Sequence, residues 1–276
     1  MIVVFIFIIS FLITLLYSIL GPYITLFKSS FFIDAIGHTI VFGIAGGFLL
    51  IHSLHSPVIL CAAIVSAFLM NWFSSFLTKK QMIPQDASLG IAFSTFFSLG
   101  ILLISLYGKN IHLDLDMILL GNIEYALYDL ILIGHYFVPK IILFLFGGII
   151  FFGLFIYVFK NQLMMMLFDR EFAYAKGVHL ELIQYIFLSA ASVIIVITFN
   201  VIGSLLLLGI CVAPFGFSWH TSSSFYEFLK HSVFKIFLVT FFSVILSLYA
   251  NISIGATIAF LVTSFSLLNF LFISFR

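Results

Sequence analysis

FFIDAIGHTIVFGIAGGFLL, residues 31–50, decides how this chain is read. The stretch is long and apolar enough to cross a bilayer, yet it carries Asp34 and His38. In a helix these are i and i+4, so both side chains leave one face a single turn apart. A carboxylate at the centre of a spanning helix costs about 2.5 to 3.5 kcal/mol on insertion scales, so an acid there calls for a partner, a wet cavity or a cation. The spacing suits a pair of ligands. A second reading stays open, with Asp34 as an acid favoured by the dipole at a helix N-terminus and His38 bonded to a neighbouring helix.

The rest of the chain points the same way. Of 276 residues, 64% are hydrophobic and 8% charged, with a mean hydropathy of +1.32. Soluble domains carry about 25% charge. The expected fold is therefore all-α, a polytopic transmembrane helical bundle forming one transmembrane domain over residues 1–276. The formal charge of +1 and the lack of a basic aromatic patch exclude nucleic acid. Cys61 and Cys211 lie in apolar runs and are expected as buried small hydrophobes, not as a disulfide or a zinc site. The first apolar run has no basic leader and no small-residue cleavage site, which predicts a first span.

About 20 apolar residues cover roughly 30 Å of hydrocarbon. Full spans are expected at 2–20, 32–51, 57–77, 88–107, 141–159, 182–199, 233–249 and 254–272, with a short crossing helix at 202–213. Counting that short element as a crossing, with the N-terminus outside and the C-terminus inside, puts Lys28, Lys79, Lys80, Lys160, Arg170, Lys176, Lys230, Lys235 and Arg276 on the inner side. Lys109 and Lys140 alone remain outside, an asymmetry that fits the excess of basic residues on cytoplasmic loops.

The outer loop after the fourth span holds His112, Asp114 and Asp116, alternating with apolar residues. An extended segment would bring the three to one side as metal ligands; more often such a pattern is a solvated loop or an interfacial amphipathic turn. His52 and His55, in HSLHS, have i and i+3 spacing and are further candidates for metal entry or plain interfacial histidines. His135 has no visible partner. Residues 160–181 and 214–232 are expected as cytoplasmic loops. In the second, Thr221–Ser224 is placed to cap a short helix, whose Phe225, Tyr226 and Phe228 suit docking into a partner's groove or lying in the interface.

The motifs of a P-loop, a zinc metalloprotease or a serine hydrolase are absent, so catalysis is not expected. Gly43 and Gly47 make a small-xxx-small pair, which serves close helix packing or backbone access to a translocation path, and Gly203 shares those two readings.

The order of motifs resembles the ATP-binding-cassette permease family that imports zinc, manganese or iron in bacteria. Asp34, Ala35, His38 and Gly43 match its opening pattern. Asp86, Leu89, Gly90, Leu99 and Gly100 follow, then Leu119, Gly121 and Asn122. Asp169, Glu171, Ala173 and Gly177 match its cytoplasmic motif, and Ile202, Gly203, Leu205, Leu206 and Pro214 its last. One departure is Pro214-Phe215-Gly216-Phe217-Ser218, where the family usually has Pro-Ala-Ala-x-Ala.

The resemblance implies a homodimeric permease in the bacterial plasma (inner) membrane, in contact with lipid and energised by two copies of a cytoplasmic ATP-binding subunit. An outer-face metal-binding protein would deliver the ion. It implies no permanently bound cofactor, a divalent metal ion as substrate (zinc first, then manganese or iron), and coupling to the ATPase through Asp169, Glu171, Gly177 and the segment after Pro214. Asp34 and His38 are then the pathway ligands, with donors that suit zinc or manganese better than copper(I). A proton- or ion-coupled secondary transporter using the same pair as a relay is the alternative.

Overall fold

The computed structural model describes residues 2–52, 57–81, 83–107, 123–133 and 136–274. Their secondary structure is almost wholly helical, because backbone groups in hydrocarbon must bond within their own segment. In chain order the helices are α1 (Ile2–Leu26), α2 (Phe32–Ile51), α3 (Pro57–Gln81), α4 (Gln85–Tyr107), α5 (Lys140–Phe168), α6 (Arg170–Ala175), α7 (Leu180–Ser218), α8 (Phe225–Ala250) and α9 (Ile254–Ser274). Among the described residues eight stretches of 20 to 29 residues are long and apolar enough to cross a membrane, and Leu206–Thr221 is a shorter apolar helix. The expected eight spans and one short element are present.

The short element is set off from the span before it by a kink inside α7 at Gly203, whose φ of 71° and ψ of 163° suit glycine alone. Two expectations change. The expected loops shrink, since 160–168 continues α5, 214–218 ends α7, and 225–232 begins the 26-residue α8. Between α4 and α5, strands β1 (Leu130–Ile133) and β2 (Tyr136–Pro139) form an antiparallel pair in which Ile131 opposes Val138.

The chain forms two compact units. The first contains residues 1–26, 120–158 and 200–276. Here Phe11 of α1 stacks on Phe237 of α8 with centroids 4.0 Å apart, and Gly21 lies where any Cβ would strike the Cys211 backbone. The end of α7 is held by its neighbours. Ser232 donates to the Pro214 carbonyl, Lys235 to Phe217, and Asn269 to both Gly216 and Phe217. These side chains satisfy the carbonyls that a helix terminus leaves open. A Cβ on Gly216 would run into the Ser266 backbone, so the departure at 214–218 has a packing reason.

The second unit contains residues 27–119 and 159–199. Within it α2 packs against α3 and α4 at backbone distance. A Cβ on Gly43 would stand 2.5 Å from Ala63 Cα, one on Gly47 3.0 Å from Ala62 Cβ, and one on Gly100 2.8 Å from the Phe42 nitrogen. The glycines at 43 and 47 therefore pack helices. A polar clasp fixes the start of α2: Gln85 donates to Ser29 Oγ at 2.6 Å, while Gln184 donates to Gln85 Oε1 at 3.0 Å.

Cys211 is buried as expected, but Cys61 is exposed. It belongs to an open stripe of α3 with Val65, Leu69, Trp72 and Phe76, which a helix brings to one face.

Replacing Gly43 with isoleucine is expected to cost about 1 to 3 kcal/mol through overpacking and to lower the melting temperature in detergent. Gly46→Ala, whose Cβ would meet nothing within 4 Å, serves as the unshifted control.

Candidate functional site

Asp34 lies in the first turn of α2, where the helix dipole favours a carboxylate. One turn later His38 points the same way, with Nε2 3.6 Å from Asp34 Oδ2. That is too long for a direct hydrogen bond. It does suit a shared ion, since two donors about 2.1 Å from one metal at the tetrahedral angle stand ~3.4 Å apart. The two side chains are 22% and 24% exposed, so the pair is neither sealed in the core nor on the open surface.

Two rings of α4 hold the imidazole. Phe93 stacks on His38 with centroids 5.5 Å apart, and Phe97 meets it edge-on at 5.0 Å. Nδ1 is buried and has no hydrogen-bond partner among the described residues, so packing sets the ring's orientation. Hydrophobic periodicity finds Phe93 and Phe97, but nothing in their spacing assigns them to His38.

No group of three or more His, Cys, Asp or Glu side chains that could hold a metal gathers among the described residues. Asp34 and His38 are two donors, and a four- or six-coordinate ion would complete its shell with water or groups from another chain. His52 ends α2 in a left-handed conformation, φ 55°, its N–H bonded to the Phe48 carbonyl. His55, His112, Asp114, Asp116, Leu119, Gly121, Asn122 and His135 lie outside the described residues.

The segment matched by Asp169, Glu171, Ala173 and Gly177 folds as a closed local unit. Asp169 Oδ1 accepts from the Phe172 N–H at 2.9 Å and caps α6. Ala173 is fully buried, and Gly177, at φ 73°, ends the helix as the Val178 N–H bonds back to the Ala173 carbonyl. Asp169 and Glu171 remain exposed.

Further on, Ser224 caps α8, and Glu227 Oε2 accepts from both the backbone N–H and the hydroxyl of Ser223. The expected docking set divides. Tyr226 is 77% exposed, whereas Phe228 is 2% exposed, packed between Phe215 and Trp219. Pro214 is buried too. The helix starting at Phe225 turns Phe228 inward because that side chain lies on the core face of a full-length span.

Residues 2–273 match the family described as the ABC 3 transport family. The chain belongs to that family. Its relatives include the "zinc transport system membrane protein TroD" of Treponema pallidum (strain Nichols), 29% identical over 197 residues, 71% of this chain and 54% of that protein. The "manganese transport system membrane protein MntD" of Bacillus subtilis (strain 168) is 28% identical over 198 residues, 71% of this chain and 67% of the relative. MntB of Synechocystis, also named a manganese transport system membrane protein, is 27% identical over 251 residues, 90% and 75% of the two chains. The match thus spans about half the length of TroD.

The structure described as PsaBC from Streptococcus pneumoniae in complex with Fab shares the fold, with a TM-score of 0.74 at 23% identity over 96% of this chain and 90% of that one. As an ABC 3 family member the chain is a multi-span membrane subunit of a transport system and not an enzyme.

Asp169→Ala is expected to cost α6 about 0.5 to 2 kcal/mol of cap stability and to speed tryptic cleavage after Arg170 and Lys176. Asp169→Ser, which restores a capping oxygen, should return the native rate.

Proposed function

We propose that this chain is the membrane-spanning permease subunit of an ATP-driven importer of divalent transition metal ions, zinc first and manganese or iron next. The observation that carries the reading is the Asp34–His38 pair, two hard-to-borderline donors 3.6 Å apart on one face of a span-length helix. The names of the zinc, manganese and iron transport relatives support the substrate class. Two ligands per subunit bind loosely enough to release, as conduction requires. A second copy of the chain would face the first across the path and offer the same pair.

Energy comes from two copies of a cytoplasmic ATP-binding subunit, and the ion from an outer-face metal-binding protein. Exposed Asp169, Glu171 and Tyr226 are the coupling surface, and the capped α6 is the rigid element that a moving ATPase pushes. The basic-residue asymmetry favours an N-terminus outside and a C-terminus inside, in the inner membrane.

Radioactive zinc and manganese uptake, in cells expressing the chain with its ATPase, tests the reading. Asp34→Ala and His38→Ala should each cut uptake by roughly ten- to hundredfold, the scale of losses when a metal site is disturbed. Membrane levels should stay native. Undiminished uptake by both variants would remove the pair from the pathway, and uptake without a functional ATPase would favour a secondary transporter.

A further inference from the structure

The second unit holds a cavity of about 460 Å³ that transport through Asp34 and His38 does not use. Its walls come from the C-terminal half of α3, the start of α4 and the first turns of α7. Inside, Asn71 is 2% exposed; its Nδ2 donates to Ser189 Oγ at 2.9 Å and to the Tyr185 carbonyl at 3.5 Å. Lys79 Nζ and Glu181 Oε2 form an ion pair at 2.6 Å, each more than half exposed. Trp72 and Phe76 flank the pair, stacked with centroids 6.0 Å apart and open on the α3 stripe described above.

This combination is amphipathic. It offers one cation, one anion and an inner acceptor near two helix ends, with aromatic rings running away along a single helix. A soluble ion has no use for the rings, and a hydrocarbon has none for the charges. We propose that the cavity seats the headgroup of a zwitterionic aminophospholipid, with its phosphate on Lys79, its ammonium on Glu181 and an acyl chain along Trp72 and Phe76.

The charges explain the choice of headgroup. An exposed ion pair is cheap to open, and a zwitterion gives each side chain a new opposite charge, so no charge is left alone. An anionic headgroup would satisfy Lys79 but repel Glu181. A choline headgroup has no N–H to donate to Glu181 or Asn71 Oδ1. A lysine at a span's end characteristically lays its aliphatic stem along apolar surface and holds its ammonium toward the headgroups, while Trp72 and Phe76, two and one turns further into α3, offer apolar rings to a chain.

Native mass spectrometry of the full chain, purified in detergent and offered equimolar phosphatidylethanolamine, phosphatidylglycerol and phosphatidylcholine, tests the assignment. Phosphatidylethanolamine adducts should exceed the other two by roughly fivefold, and the Lys79→Gln, Glu181→Gln double variant should bring the ratio to about one. A second measurement is independent of that variant. With Trp219→Phe, Trp72 is the sole remaining tryptophan, and a minor fraction of phosphatidylethanolamine with brominated chains should quench it more than equal fractions of the other two brominated lipids.

Equal adducts for all three lipids overturn the proposal. So does equal quenching by the three, or quenching by none, which would mean that protein covers the face. Displacement of the lipid by glycerophosphoethanolamine at matching concentration would instead assign the cavity to a soluble zwitterion and also overturn it.

Discussion

The approach of α2 to its neighbours at backbone distance is the constraint on which the second unit depends. Lipid tails are as apolar as the side chains they touch, so helices in a membrane associate through close packing and interhelical hydrogen bonds, not through a hydrophobic gain. Gly43 and Gly47 bring α2 onto α3, Gly100 brings α4 onto the Phe42 backbone, and Gly37 leaves space filled by the Phe199 ring. Ser66 adds a hydrogen bond to the Thr39 carbonyl at 3.3 Å. With these sides occupied, the rotation of α2 about its axis is set. Asp34 and His38 are thereby placed on the remaining face, where α4 supplies the rings of Phe93 and Phe97. The site's position follows from glycines that never touch it.

Several residues that match the family pattern turn out to build local structure. Asp169 caps α6, Gly177 ends it, and Gly203 breaks α7 with a backbone geometry closed to other residues. Motif order therefore identifies the family without separating residues that fold the chain from residues that move its cargo. The departure after Pro214 shows the same thing from the other direction. Gly216 admits the α9 backbone, and the carbonyls it and Phe217 expose are bonded by Lys235 and Asn269, so the segment is an anchored helix end and not a free docking loop.

What could be seen in the sequence was governed by length and hydropathy. Each span-length apolar run became a helix, because in hydrocarbon the backbone has almost no other solution. Joins between runs were harder, since polar residues such as Ser224, Glu227 and Lys230 mark a loop and the first turns of a helix equally well; Ser224 and Glu227 proved to be α8's own capping groups. The β1–β2 hairpin is not among the sequence expectations although LILI and YFVP flank only Gly134 and His135, a hairpin-like spacing hidden by the surrounding apolar sequence. The exposure of Cys61 departs from expectation for a related reason. In a membrane helix, apolar character does not distinguish a core face from an open one.

The two readings of Asp34, dipole-stabilised helix acid and ion ligand, are physically compatible. A transport site spends part of its cycle without cargo, so its donors must be tolerable alone. The first turn of α2 supplies that for the carboxylate through the partial positive charge of unbonded N–H groups, and the α4 rings supply it for the imidazole by fixing its plane without consuming a nitrogen. Because neither support takes up the Oδ2 and Nε2 atoms that face each other, an ion entering between them has no protein hydrogen bond to break. Under the importer reading, the stabilisation of the empty site is what keeps the loaded site weak enough to let go.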